Sequence, residues 1–224
     1  MLKTKAVIFD FDGTLTKSDE NIWKRIYLKI NYTIDKTSSY YTSYVDYINK
    51  KINYETWVDI SEKDFINGKL TKSMFYEICE SYKLFNGVIE NLSKLKNDGV
   101  KLYVLSGNFV ETIKFVFGEN ANLFEDISAN QIKFFEDGKI KNLVSTKYDF
   151  EGKATYLKNL IKSNNLLPDE ICFVGNGDND IYAYQAGVKT ICVNPINANE
   201  DNKTIWSNVI NSCTNFNEIL KYIK

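Results

Sequence analysis

The chain has 224 residues, of which 44% are hydrophobic and 25% are charged. This is the composition of a globular protein with one or two domains, and it excludes disordered, collagen-like and disulfide-rich chains. The net charge of −1 gives no basic excess for nucleic acid or an anionic membrane surface, and the lack of histidine excludes imidazole-dependent catalysis and zinc sites built on histidine.

Cellular location is suggested by two further features of the sequence. No apolar run approaches the roughly 20 residues needed to span a bilayer, and acidic residues follow the first apolar run too closely for a signal peptide. The four cysteines lack Cys-x-x-Cys spacing, so we expect buried, reduced thiols: Cys79, Cys172, Cys192 and Cys213. We therefore expect a cytoplasmic monomer or homodimer that binds neither nucleic acid nor membrane.

Short, continuous apolar runs predict the strands of a parallel sheet that is covered on both faces. These runs are residues 6–9, 102–105, 171–174 and 191–193. Helical apolar patterns lie between them, beginning near Val88, Val110 and Tyr156. The alternation predicts an α/β fold with a Rossmann-like doubly wound parallel sheet. Residues 131–144 interrupt it with the pattern of a hairpin whose tight turn contains Asp137-Gly138.

Residues 16–85 differ from the rest of the chain. They contain one glycine and no proline, but nine of the fifteen tyrosines and two of the three tryptophans. A segment of this length is too long for a loop in a compact domain. We therefore predict a small helical cap, hinged near Thr16–Lys17 and Leu84–Gly87, on a core formed by residues 1–15 and 86–224.

Polar residues and glycines follow three of the predicted strands. They are Asp10–Leu15, Ser106–Asn108 and Gly175–Asp180. Ligands of open α/β sheets bind at the carboxyl ends of the strands, so these three segments are expected to form one site. Several carboxylates without histidine favour Mg²⁺ on oxygen ligands.

Individual residues of this site suggest particular chemistry. Asp10 and Asp12 are two apart, so one can act as a nucleophile while the other transfers protons. Ser106 and the following amides precede a helix, an arrangement that favours anion binding. Lys153 lies in the first turn of a predicted helix, where the helix dipole disfavours a cation. Either a functional role or an ion pair with Glu151 or Asp149 explains it.

The four segments together resemble the motifs of the haloacid dehalogenase superfamily, in its phosphatase branch. Asp10-Phe11-Asp12-Gly13-Thr14-Leu15 is similar to motif I, Ser106 to motif II, Lys153 to motif III and Gly175–Asp180 to motif IV. The helical insertion after motif I resembles the cap of phosphoserine phosphatase-like members. The resemblance covers nearly the whole chain and implies a Mg²⁺-dependent hydrolase of a small phosphate ester.

The resemblance also implies a role for each motif residue. Asp10 would form an aspartyl-phosphate, and Asp12 would protonate the leaving alcohol and then activate water. Ser106 and Lys153 would hold the phosphoryl oxygens with substrate-binding groups at Gly107, Asn108 and Asn179. Mg²⁺ would be held by Asp10, Asp12, Asn176 and Asp180, with Asp178 an alternative ligand in motif IV.

The sequence departs from the family pattern at two places. Motif IV has Asn176 where the family has an aspartate, which removes one negative charge from the metal site. In the cap, Asp19 and Glu20 match the acid that holds the substrate amine in phosphoserine phosphatases, but Arg25 is the only arginine and lies elsewhere. The cap acid without its arginine favours a short amino-alcohol phosphate, such as phosphoethanolamine, over phosphoserine.

Two alternatives remain open at this stage. Aromatic residues of the cap are suited to stacking on a ligand, which would favour a sugar- or nucleotide-phosphate phosphatase. The substitution at Asn176 is also compatible with a weakly active or non-catalytic relative that kept the fold. Turnover of a simple aryl phosphate distinguishes the catalytic hypotheses from the non-catalytic one.

Overall fold

The computed structural model describes residues 4–17, 20–195 and 205–223. In these residues one seven-stranded sheet has the order β4-β3-β2-β1-β5-β6-β7. Its strands are β1 (Ala6–Phe9), β2 (Lys101–Phe109), β3 (Asp126–Phe134), β4 (Ile140–Val144), β5 (Ile171–Gly175), β6 (Lys189–Val193) and β7 (Asn208–Ile210). All neighbouring pairs are parallel except β3 and β4.

Helices surround the sheet. They are α1 (Ile22–Lys29), α2 (Ser39–Ile48), α3 (Tyr54–Asn67), α4 (Lys72–Glu80), α5 (Val88–Asn97), α6 (Val110–Phe117), α7 (Gly152–Ser163) and α8 (Asn217–Ile223). Shorter 3₁₀ segments follow α6 and flank β5: Gly118–Leu123, Pro168–Glu170 and Asp178–Ala186. No helix in the described residues combines the length and apolar character needed to cross a membrane.

The central strand β1 shows why the sheet is covered on both faces. Val7 belongs to a buried cluster with residues of α5, α6 and α8, whereas the next residue, Ile8, packs in a second cluster with α7. Successive side chains of a strand point to opposite faces, so both faces of β1 are apolar. This arrangement confirms the predicted α/β fold with a doubly wound, mainly parallel sheet.

Two strands extend beyond their predicted limits. Strand β2 continues past Leu105 to Phe109, so Ser106, Gly107 and Asn108 lie in the strand and not after it. Its pairing with β3 becomes irregular between Leu105 and Phe109, so these three residues form the irregular carboxyl end of the strand. Strand β3 begins parallel to β2 at Asp126 and continues into the predicted hairpin.

The hairpin turn and the cysteines follow the sequence-based expectations. Strands β3 and β4 are antiparallel, and Gly138 has the positive φ that its turn requires. All four cysteines are free and buried. Cys79 of α4 is 1% exposed, and its Sγ lies 3.7 Å from the hydroxyl of Thr112 on α6.

The described part of the long insertion forms α1–α4, and its two connections to the sheet lie side by side. The amide of Lys17 donates to the carbonyl of Lys83 at 2.8 Å, and the amide of Phe85 donates to the carbonyl of Leu15 at 3.0 Å. The two chain segments that connect the insertion to the sheet are therefore paired with each other by backbone hydrogen bonds. The assignment of this insertion as a separate cap domain stays a prediction.

The insertion is also bound to the β3–β4 hairpin. The amide of Lys72 donates to the carbonyl of Gly138 at 2.7 Å, and the amide of Leu143 donates to Glu62 on α3 at 2.5 Å. One buried apolar cluster runs from the sheet into α1, α3 and α4. Any movement of the insertion must therefore break contacts beyond the two connections.

Within the insertion, one carboxylate connects three segments. Asp64 of α3 accepts hydrogen bonds from Tyr27 of α1 at 2.8 Å, from Tyr32 at 3.4 Å and from Ser39 of α2. Since the aromatic rings of Tyr27 and Tyr32 pack against each other, the carboxylate fixes the positions of α1 and α2 on α3.

We expect Asp64→Ala to lower the free energy of unfolding by about 1–3 kcal/mol, because three hydroxyl groups lose a common acceptor. Urea unfolding measures the change. Asp59→Ala, at an exposed position of the same helix, is the matched control and should change the midpoint little. Equal midpoints for the two variants would contradict the role given to Asp64.

Candidate active site

A cavity of about 650 Å³ opens at the carboxyl edge of the parallel strands. Its floor includes Asp10 and Asp12 after β1, Ser106 and Gly107 of β2, and Asn176 after β5. Its walls come from α1–α3 of the insertion and from the segments that follow β4 and β5. The structure thus brings together the segments that the sequence predicts to form one site.

A buried ammonium group lies behind the floor. Lys153 of α7 is fully buried, with its Nζ 3.3 Å from Oδ1 of Asp10 and in contact with Oδ1 of Asp180. Burial opposes the charged form of Lys153, but the two carboxylates outweigh it and raise its pKa. Lys153 therefore pairs with Asp10 and Asp180, and its closest ion pairs are not with Glu151 or Asp149.

The buried carboxylate of Asp10 has more negative than positive groups around it. Burial and the charge of Asp180 raise the pKa of Asp10 to about 7, although Lys153 and a hydrogen bond from Ser106 oppose the shift. The backbone amide of Asp10 donates to the carbonyl of Val174 at 2.9 Å, which fixes the residue between two strands. The carboxylate is consequently held in place but incompletely neutralised.

Asp12 has one satisfied and one unsatisfied carboxylate oxygen. The Asn108 amide donates to its Oδ2 at 2.9 Å, whereas Oδ1 is buried and has no hydrogen-bond partner among the described residues. Burial raises the pKa of Asp12 to about 6 against the hydrogen bonds from Asn108 and Tyr82. Asn108, predicted as a substrate-binding residue, lines the cavity and also positions Asp12.

Both carboxylate oxygens of Asp180 have partners within the protein. Its Oδ2 accepts from the backbone amides of Asn176 at 2.9 Å and Gly177 at 3.1 Å, while Oδ1 contacts Lys153. A Cβ atom at Gly175 would lie 2.5 Å from the Asp180 carboxyl group, so only glycine fits there. The predicted role of Asp180 as a metal ligand is not supported by this geometry, because Asp180 shapes the loop and does not line the cavity.

The remaining motif IV residues do line the cavity: Asn176, Gly177, Asp178 and Asn179. No group of three or more acidic or cysteine side chains in the described residues is arranged to hold a metal ion. The oxygen donors that face the cavity nevertheless suit Mg²⁺ chemically. The buried, unpartnered Oδ1 of Asp12 and the raised pKa of Asp10 show that added positive charge would stabilise this floor.

Asp149 is a cavity residue that sequence reasoning placed only as a possible partner of Lys153. Its buried carboxylate accepts a hydrogen bond from the hydroxyl of Tyr54 on α3, and burial raises its pKa. A Cβ atom at Gly107 would lie 1.2 Å from Oδ1 of Asp149. Gly107 is therefore required by the close approach of this carboxylate, which no motif signals.

The carbonyl of Gly107 is held from two sides. The Asn130 side chain donates to it at 2.7 Å, and the indole of Trp23 on α1 donates at 3.2 Å. Asn130 is fully buried and also accepts from the amide of Thr146 at 2.9 Å. The hairpin pairing runs from Gln131 to Val144, as predicted, so Asn130 precedes it and pairs with Phe109 of β2. These contacts couple the insertion directly to the β2 segment of the floor.

The acids of the insertion that the sequence predicts to bind substrate, Asp19 and Glu20, are not found at the cavity among the described residues. Asp19 lies outside the described residues. Glu20 pairs with Lys24 at 2.7 Å and is not among the cavity residues. Arg25 donates to the hydroxyl of Ser81 at 2.7 Å and lies 4.5 Å over the ring of Tyr82. The i,i+4 spacing of Glu20 and Lys24 is the sequence signal for this surface pair.

Comparison with known proteins identifies the same family that the motifs resemble. A family model described as "Hydrolase: haloacid dehalogenase-like hydrolase" matches residues 4–187. No curated protein matches the sequence.

Among solved structures, the chain is similar to a phospho-aspartyl intermediate analogue of phosphoserine phosphatase, with 21% identity, a TM-score of 0.74 and coverage of 99% of this chain and 100% of the other. It is similar to the hydrolase t0658 from Salmonella enterica serovar Typhi, with 16% identity, a TM-score of 0.76 and coverage of 100% and 72%. It is also similar to a protein from Clostridium difficile described as a putative phosphatase, with 18% identity, a TM-score of 0.63 and coverage of 99% of both chains. At these identities the likeness shows the fold.

We expect Gly107→Ala to lower the free energy of unfolding by about 1–3 kcal/mol, because the new methyl group overlaps the Asp149 carboxylate. In an Asp149→Ala background the same substitution should cost less, since the overlapping atoms are gone. Chemical denaturation of the four proteins gives the coupling energy. Strictly additive effects would show that Asp149 does not impose the glycine.

Proposed function

Because the chain belongs to the haloacid dehalogenase-like hydrolases, we propose that it is a Mg²⁺-dependent phosphomonoesterase that acts on a small phosphate ester. The family match confirms the membership predicted from the four motifs. The observation that carries the proposal is the buried Asp10–Lys153 pair at the floor of a cavity into which the second acid, Asp12, also opens.

In the proposed reaction a carboxylate oxygen of Asp10 attacks phosphorus, and the bond from phosphorus to the leaving alcohol breaks. Asp12 donates its proton to that alcohol and then takes a proton from the water that hydrolyses the aspartyl-phosphate. A pKa of about 6 suits Asp12 to both steps near neutral pH. Ser106 and the amide of Gly107 would hold the phosphoryl oxygens, which carry most of the charge, and Lys153 would add positive charge from behind Asp10.

The proposed metal ligands are the Asp10 carboxylate, the backbone carbonyl of Asp12, and Asn176 or Asp178. Mg²⁺ would supply a positive charge beside the phosphoryl oxygens. Asn176 contributes an amide oxygen in place of a carboxylate, so we expect weaker metal binding than an aspartate would give. Asp178 faces the same cavity and is the available acid of motif IV.

The insertion is proposed to act as the substrate-selecting cap. Trp23 of α1, Tyr44 of α2 and Trp57 of α3 all line the cavity, so the leaving group of the ester would meet mainly the insertion. The contacts of Trp23 with Gly107 and of Tyr54 with Asp149 would let a change in the insertion reach the phosphate-binding segment.

The first test is hydrolysis of p-nitrophenyl phosphate with and without Mg²⁺. We expect metal-dependent turnover, and we expect Asp10→Asn to reduce it by about 10³-fold or more because the nucleophile is lost. Asp59→Asn, on the surface of α3, is the control. Absence of turnover in the unmodified protein, or a phosphoryl group trapped on another residue, would contradict the proposal.

A second prediction concerns the metal. Asn176→Asp adds one negative charge to the cavity floor, and we expect the Mg²⁺ half-saturation concentration to fall about tenfold, which corresponds to ~1.4 kcal/mol. The Mg²⁺-induced rise in Tm should increase in parallel. Asn179→Asp adds the same charge to the neighbouring cavity position. Equal effects of both variants would indicate general electrostatics and not ligation by residue 176.

A further inference from the structure

One wall of the cavity is built from aromatic rings. Tyr44 lies 6.1 Å from Trp57 and 6.4 Å from Phe150, and Phe150 lies 6.4 Å from Tyr182, all measured between ring centroids. Tyr44 and Trp57 come from the insertion, whereas Phe150 and Tyr182 come from the sheet side. We call these four residues the aromatic wall.

The α2 side of the aromatic wall is exposed. Tyr44 keeps 42% of its surface exposed, and its neighbours Tyr41 and Ile48 on α2 keep 42% and 47%, whereas Trp57 behind them keeps only 7%. Tyr44, Tyr41 and Ile48 all line the cavity. Side chains that only filled a core would be covered, so the α2 surface is available to a ligand that enters the site.

The charges around the wall are negative. Asp149 and Asp178 line the same cavity as the floor acids, and no lysine or arginine occurs among its described lining residues. Burial raises the pKa of the Tyr44 hydroxyl, and Asp178 and Asp149 add to this shift, which places both carboxylates within electrostatic reach of the wall. Lys153 lies buried behind Asp10 and Asp180, on the phosphate side.

This combination selects among leaving groups. A carboxylate or a second phosphate on the substrate would meet only like charge. A neutral nucleobase or sugar could donate hydrogen bonds to the acids but would gain no attraction between opposite charges. A primary ammonium group needs several hydrogen-bond acceptors, whereas a quaternary ammonium group is stabilised by ring faces and by negative charge at a distance.

We propose that the aromatic wall and its flanking carboxylates bind a quaternary ammonium group, so that the preferred substrate is a phosphomonoester of a short quaternary ammonium alcohol. This inference rests on the proposed phosphatase function and names its substrate class. The acids that attract the ammonium group are then Asp149 and, where Asn176 is the metal ligand, Asp178, and not the Asp19-Glu20 pair from which the sequence argument began.

The test compares phosphocholine with 3,3-dimethylbutyl phosphate, a neutral ester of the same shape. We expect kcat/KM to be about tenfold or more higher for phosphocholine, and higher than for phosphoethanolamine and phosphoserine. Turnover of p-nitrophenyl phosphate is measured alongside. If the aryl ester is hydrolysed but phosphocholine has no advantage over its neutral isostere, this inference fails while the proposed function stands.

Matched variants locate the effect. Tyr44→Ala should reduce the ratio of the two kcat/KM values several-fold, and Tyr44→Phe should retain it, because the ring and not the hydroxyl makes the contact. Phe115→Ala removes an equally exposed ring, at 43%, outside the cavity and should leave the ratio unchanged. A ratio insensitive to Tyr44→Ala would overturn the assignment to the aromatic wall.

Binding provides a readout that does not depend on turnover. Trp23 and Trp57 line the cavity, so their fluorescence should report its occupation. We expect choline to bind several-fold more tightly than 3,3-dimethylbutanol. If no phosphate ester is hydrolysed, the proposed function fails, and equal or weaker binding of choline then overturns the cation site as well.

Discussion

The site depends on the ion pairs that the fully buried ammonium group of Lys153 makes with two carboxylates. It lies between Asp10, which ends one strand, and Asp180, which holds the amides of the loop after another. Removal of such a central cation would leave two buried carboxylates facing each other, at a cost of about 3–5 kcal/mol. One charge therefore ties α7 to two strand ends and keeps an anionic floor compatible with a folded core.

The second constraint is the narrow space around Gly107. Its carbonyl is held by Asn130 and Trp23, and its Cα is pressed by the Asp149 carboxylate, which is itself bound by Tyr54. Two of these four partners come from the insertion. The geometry of this β2 segment, the proposed phosphate-binding segment, thus depends on how the insertion packs, although the two parts are distant in sequence.

The sequence predicted well what depends on local pattern and poorly what depends on distant partners. Continuous apolar runs such as Ala6–Phe9 identify strands because both faces of the sheet are covered. The three-residue strand β7 and the first half of β3 have no such pattern and were not predicted. Asp149 and Asn130 lack a periodic signal because their roles arise from contacts across the fold. Glu20 matched a family position, but Lys24 one turn later neutralises it.

The buried thiols have a consequence for how motion of the insertion can be followed. Burial raises the pKa of Cys79 to about 12, so this thiol, enclosed between α4 and α6, is inert to alkylation while the two helices stay together. Cys172, fully buried within the central sheet, is exposed only when the core itself opens. The relative alkylation rates of these two positions would therefore separate displacement of the insertion from global unfolding, with no change to the amino-acid sequence.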